Sequence, residues 1–98
     1  RLMFYDTKLE ILNNANFTPV MSMMADVQPY RKSFLFEDGY TLETTYRAFC
    51  PLESLLQLNG YVRISKDVFI ILDIKEWSDY MELYLFRCKP DFVLEVKE

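Results

Sequence analysis

Two pairs of acidic residues, Asp73 with Glu76 and Asp79 with Glu82, come nearest in this 98-residue chain to the spacing of general acid–base partners. Both pairs fall at the ends of segments with period-two alternation, where carboxylates turn outward, and they are expected as solvated edge or turn charges. The chain has no histidine, which removes the commonest general base, the usual partner of a serine or cysteine nucleophile and the commonest metal ligand. Gly39 and Gly60 are its only glycines, too few for a phosphate-cradling loop or a dinucleotide fingerprint. No catalytic residue, cofactor or metal is therefore expected, and an enzyme is the disfavoured class.

Aromatic–cation neighbours offer a second chemistry. Tyr46-Arg47 and Tyr61-Val62-Arg63 could form a stacking platform for single-stranded nucleic acid on an OB-like barrel. Against this stand a net charge of -4 and a pI of about 4.8, which supply no basic field for a phosphate backbone. Aromatics at period two in a β protein also usually build the core or pair across strands. Nucleic-acid binding is kept as the alternative from a different class.

The elements that must position any site are mostly strands. Hydrophobic residues make up 51% of the chain and aromatics 16%, too rich for a disordered protein and ample for one small core. Alternation predicts one or two short strands over residues 2–12 with a turn near Asp6-Thr7, strands over 20–28, 40–50, 61–65, 68–74 and 80–88, and a last short strand or tail over 92–96. Asn13, Asn14 and Asn16 make a loop, Lys66-Asp67 a hairpin turn, and Trp77-Ser78-Asp79 a second turn. Both faces of Val68-Phe69-Ile70-Ile71-Leu72 are apolar, so that strand should be covered on two sides. Leucines at 52, 55, 56 and 58 suit one or two helical turns. The expected fold is one domain over residues 1–98: a small β-barrel or sandwich of five to seven antiparallel strands with one short helix and a long inter-strand loop.

That loop, residues 30–38, begins after Pro29 and ends in the turn signal Glu37-Asp38-Gly39. It carries Tyr30, Arg31 and Lys32 beside Phe34, Leu35 and Phe36; the apolar triplet reads equally as a hidden strand segment packed on the core or as a sticky loop tip, and on the second reading, an apolar interface anchor with a charged rim, these six are the candidate partner-binding residues. Trp77 and Tyr80 are candidate interface or core anchors. Cys50 and Cys88 are expected to be reduced thiols, and no apolar run approaches the ~20 residues of a helical membrane span. Without a signal peptide in view, the expected compartment is the cytoplasm.

Taken in order, Val27-Gln28-Pro29, residues 40–49 (YTLETTYRAF), Gly60-Tyr61-Val62-Arg63-Ile64 and residues 69–85 (FIILDIKEWSDYMELYL) resemble the small head-closure, or head-tail joining, proteins of tailed bacteriophages. The resemblance covers roughly residues 21–88. It implies a β-barrel subunit of a homo-oligomeric ring that joins portal or adaptor proteins to the tail and helps retain packaged DNA. Double-stranded DNA would pass through the ring without sequence-specific binding, and no membrane would be involved. The protein would be made in the host cytoplasm and end at the head-tail junction of the virion. The 30–38 loop matches the family's long inter-strand excursion, expected to reach a neighbouring subunit, the channel or the tail, and Trp77 and Tyr80 match its late turn. A stand-alone cytoplasmic inhibitor or regulator encoded by a mobile element shares the size, the acidity and the lack of catalysis, and is the third reading.

Overall fold

A computed structural model describes residues 4–88 of the chain. The strand or tail expected over residues 92–96 lies outside them. The described residues form eight strands in chain order: β1 (Thr7–Leu12), β2 (Pro19–Pro29), β3 (Ser33–Leu35), β4 (Thr41–Glu43), β5 (Tyr46–Pro51), β6 (Tyr61–Ile64), β7 (Asp67–Glu76) and β8 (Tyr80–Arg87). Six of them close into an antiparallel barrel in the order β1-β2-β5-β8-β7-β6, with β6 returning to β1; β3 and β4 make a separate two-stranded sheet. A small β-barrel is the architecture that the alternation predicts.

The barrel interior is filled by side chains at period two from every strand: Leu9 and Ile11, Ala25, Ala48 and Cys50, Val62, Phe69 and Ile71, and Met81, Leu83 and Leu85. Fully burying a side chain such as Leu83 is worth about 1.5–3 kcal/mol, so this interior supplies the main stabilising term. In β7 the register shifts between Ile71 and Asp73, leaving Leu72 as an extra residue opposite β8. The bulge changes which parity faces inward. Phe69 and Ile71 point into the barrel before it and Ile74 packs against the core after it, while Leu72 is left on the outside beside Ile70.

The structure contains no helix among the described residues, and residues 52–60 form turns. A seven-residue segment is too short to repay helix nucleation unless its apolar face meets a core. Of the four leucines only Leu56 does so, at 4% exposure, plugging one end of the barrel, while Leu52, Leu55 and Leu58 are exposed. The Glu53 carboxylate accepts the Leu55 N–H (3.1 Å), and the Gly60 N–H closes a turn onto the Gln57 carbonyl (3.0 Å). A Cβ at Gly60 would stand 3.0 Å from that same oxygen, which explains the glycine.

The expected strand over residues 40–50 is two strands. It breaks at Thr44-Thr45, where β4 leaves the small sheet and β5 joins the barrel. The predicted hairpin turn also sits one residue earlier, at Ser65-Lys66, with Ser65 in the left-handed region (φ 59°). Asn13 and Asn16 do cap their own loop, accepting the N–H groups of Ala15 (2.7 Å) and Thr18 (3.2 Å). Cys50 and Cys88 are free thiols.

Candidate functional site: an arm over a polar cluster

The loop expected over residues 30–38 is the first half of a β-hairpin arm, β3-β4, lying outside the barrel. Gly39, at φ +90°, makes its tip: the Gly39 N–H bonds the Phe36 carbonyl (2.9 Å), and the Phe36 N–H bonds the Tyr40 carbonyl (2.8 Å). The pairing Phe34↔Leu42 and the alternation of strand faces put Phe34, Phe36, Tyr40 and Leu42 on one side, with Ser33, Leu35, Thr41 and Glu43 on the other.

Thr44 anchors the arm. It is wholly buried, and its Oγ1 accepts the Lys32 N–H (3.0 Å) and donates to the Tyr30 carbonyl (3.2 Å), while its own N–H bonds the Lys32 carbonyl (3.0 Å). Below it the Tyr30 N–H bonds the Thr45 carbonyl (3.1 Å), and Thr45 N–H reaches across to Leu85 of β8 (3.0 Å). The arm therefore leaves the barrel through a stitched base.

Under that base the outer face of the barrel carries a buried carboxylate. Glu82 is 5% exposed and accepts hydrogen bonds from Tyr84 Oη (2.8 Å), Arg47 Nη1 (3.4 Å) and Trp77 Nε1 (3.4 Å). A buried charge survives only when paired and hydrogen-bonded, and Glu82 has both a cation and two neutral donors. Of the two expected solvated pairs, Asp79 and Glu76 are exposed and Asp73 is half-buried, its Oδ1 accepting the Ile74 N–H (2.9 Å), whereas Glu82 is buried. Tyr84, also buried, is covered by Tyr30 (5.6 Å between ring centroids), Phe34 (5.9 Å) and the ammonium of Lys32 (5.0 Å to the ring). Burial first, then the hydrogen bond to Glu82 and the carboxylate's charge, push the Tyr84 phenol far above its ordinary range. The phenol is a fixed donor, with no basic form available near neutral pH.

From this cluster a line of ring contacts runs across the surface. Arg47 stacks on Tyr30 (4.4 Å) and reaches Phe49 (5.2 Å), Phe49 meets Tyr80 (6.1 Å), and Tyr80 stacks with Trp77 (6.0 Å, 24° between planes). Trp77 remains half exposed. Five of the candidates named from sequence, Tyr30, Lys32, Phe34, Trp77 and Tyr80, are thereby linked across one face, while Leu35 lies on the arm's other side. Tyr30, Lys32 and Phe34 hold the arm's base, Trp77 and Tyr80 join them through Glu82 and Phe49, and Leu35 (77% exposed) and Phe36 lie toward the tip. Arg31 pairs with Glu43, across the base of the arm (3.7 Å).

Sequence reasoning missed Arg47, Glu82, Tyr84 and Thr44 as a unit. A signal was available for two of them: Thr44 occupies the parity of Leu42, Tyr46 and Ala48, and Glu82 interrupts the otherwise apolar run Tyr80 to Phe86. A hydrophilic residue on an apolar face calls for a partner.

Toward its tip the arm stands off from the barrel. Phe36, Asp38, Tyr40 and Leu42 face Asn59, Ile70 and Leu72 across an open groove of about 640 Å³. This is the outward apolar face of β7, so the second cover expected for that strand is an arm that touches at one end and gapes at the other. The Cys50 thiol, buried in the core, is pushed up to about 11 by burial and then by Glu53, which makes it a poor nucleophile. Among the described residues no group of three or more Cys, Asp or Glu could hold a metal ion, and no helix is long and apolar enough to cross a membrane. No protein-family model matches the chain, and no curated protein matches its sequence.

Proposed function

We propose that this chain is a protein-binding subunit without catalysis of its own, and that its partners are the portal or adaptor and tail proteins of a tailed bacteriophage, which it joins as the head-closure subunit. The observation that carries the binding reading is the arm: a hairpin fixed at its base by Thr44 and by the Tyr84 cluster, presenting Leu35, Phe36 and Tyr40 to solvent at its far end. Exposed apolar side chains on a pre-ordered element bind at a low entropic cost, because the element is already in place. The phage assignment rests on the ordered resemblance of residues 21–88 to the head-closure proteins. Two cations of the nucleic-acid alternative are already engaged: Arg47 with Glu82 (3.4 Å) and Arg63 with Glu10 (2.9 Å). That favours a protein partner over a phosphate backbone.

The test is assembly. The protein is co-expressed with the products of the genes flanking its own, and purified complexes are viewed by negative-stain electron microscopy. Expected are portal-type and tail-type neighbours and an added ring of density beneath the portal, lost in a Leu35→Ser, Tyr40→Ser variant whose melting temperature is retained. Neighbours of unrelated type, together with tight binding to an oligothymidylate, would overturn the reading in favour of the nucleic-acid class.

A further inference from the structure

A second cavity, of about 280 Å³, lies at the root of the arm, where β2 ends, β5 begins and β8 ends. Pro29, Tyr30, Thr45 and Tyr46 form its walls, and Arg31 from the base of the arm and Arg87 from β8 complete the lining. The walls are fixed in place. Pro29 pairs with Tyr46 across β2 and β5, the Tyr30 N–H bonds the Thr45 carbonyl (3.1 Å), and the Thr45 N–H bonds the Leu85 carbonyl (3.0 Å). The Tyr46 ring stands edge-on to the buried Phe69 (5.6 Å between centroids). A cavity already in shape costs a ligand little ordering.

The two guanidiniums are only loosely held by their own neighbours. Arg31 meets Glu43, and Arg87 meets Asp67, each at 3.7 Å, well beyond the ~2.7–2.9 Å of a charge-assisted hydrogen bond. The arginine side chains are 81% and 51% exposed, and exposed pairs of this kind are weak and exchange readily. Arg63, by contrast, holds Glu10 at 2.9 Å.

Charge and size decide which anion fits. Glu43 and Asp67 offset Arg31 and Arg87, and the chain as a whole carries -4, so no long-range field gathers a polyanion here. What is left is recognition at contact, where the planar fork of arginine matches a carboxylate. The volume falls just below the roughly 300–1,000 Å³ of ordinary small-ligand pockets, which suits one side chain or one chain end.

We propose that this cavity is a carboxylate socket. A single carboxylate of the arm's partner, from an Asp or Glu side chain or from a chain terminus, enters between Tyr30 and Tyr46 and takes hydrogen bonds from Arg31 and Arg87 in place of Glu43 and Asp67. The arm then recognises its partner at two points, apolar at the tip and ionic at the root. That role rests on the protein-binding reading of the arm, whereas carboxylate binding itself is measured on the chain alone, so the two fail separately.

The experiment is an NMR titration of the arginine Nε–H signals of the full chain at constant ionic strength. Three probes are used: N-acetyl-glutamic acid α-amide for a side chain, N-acetyl-alanine for a chain end, and inorganic phosphate. Expected are saturable shifts at Arg31 and Arg87 with a carboxylate probe, half-complete on the order of 1–10 mM, with Arg63 unmoved. The tighter of the two carboxylates names the source. Arg31→Gln and Arg87→Gln, both at exposed positions, should keep the parent melting temperature and each weaken binding at least roughly fivefold. Absence of saturation by ~100 mM would overturn the proposal. So would binding that survives both substitutions, or tighter binding of phosphate than of either carboxylate. A ring that assembles unimpaired on the double variant would remove the socket from partner recognition and leave the connector reading standing.

Discussion

Barrel and arm are built from the same residue types and held by different physics. The barrel hides its apolar side chains inside a closed wall, and each strand is secured by two neighbours. The arm has two short strands of three residues each and no interior; it is fixed to the outside of that wall by a buried threonine, a lysine over two rings and a carboxylate network. An apolar interior tolerates no exchange of register without losing its contents. A hairpin held mainly at one end can keep its far end available. The difference teaches that stability and presentation are assigned to separate parts of a small chain.

The comparison is broken most severely from the barrel side. Leu83→Ala removes a wholly buried side chain at the centre of β8 and is expected to cost about 2–5 kcal/mol. In a denaturant titration followed by far-ultraviolet circular dichroism, the midpoint should fall well below that of the parent, with arm and barrel lost together. A shift no larger than that of a surface variant would mean the interior is not the stabilising unit.

Thr44→Val tests the joint between the two regions. The substitution keeps the shape and leaves the Lys32 N–H and Tyr30 carbonyl without their hydroxyl partner, at a cost of about 1–3 kcal/mol. Its signature is regional. Amide exchange at Lys32 and along β3 should accelerate before exchange in β8 does. Equal acceleration everywhere would show the threonine serving the barrel and not the arm.

Alkaline pH sharpens the comparison through Tyr84. Its folded-state pKa is raised, so the neutral phenol adds stability that is fully present below the unfolded value of about 10. As the pH climbs past that value the unfolded chain gains by ionising while the folded chain does not, and the contribution drains away. Melting temperature should therefore fall above pH ~10 more steeply in the parent than in Tyr84→Phe. Parallel curves would remove Tyr84 from the account of alkaline stability.

The smallest expected effect lies at the arm's outer face. Leu35→Ser changes a side chain that is 77% exposed, and the melting midpoint should move by no more than about 0.5 kcal/mol equivalent. A larger loss would mean that Leu35 is packed in solution and that the arm's outer side is not free.

Much of the barrel was legible in the residues. β2 and β8 run almost as alternation predicts, because period-two patterning over eight or more residues has one natural conformation and because Pro29 and the turn at Trp77 mark their ends. Alternation assigns faces and not partners, which is why residues 40–50 read as one strand. The turn of direction at Thr44-Thr45 depends on bonds to Tyr30, Lys32 and Leu85, up to some forty positions away in sequence. The leucine spacing over residues 52–58 misled for a related reason, since only a barrel end already in place decides that Leu56 goes in and its neighbours stay out. Of the two readings of the 30–38 segment, the hidden strand is present as β3, but its partner was not legible, because Leu42, which completes the hairpin's inner face, looked like part of the next strand.

The seam between β1 and β6 has a bearing on how the chain reaches this state. Leu9 faces Ile64 and Glu10 faces Arg63 there, residues more than fifty positions apart, whereas β1-β2, β6-β7 and β7-β8 are local hairpins. Loop-closure entropy places such a distant pairing late in folding and slows the whole reaction toward the millisecond-to-second range of barrels rich in non-local contacts. Until it closes, both seam strands expose unpaired edges to other copies of the chain. Lys8, Glu10 and Arg63, spaced along those edges, act in that interval as charged guards against the wrong strand and become an ion-paired clasp once the right one arrives.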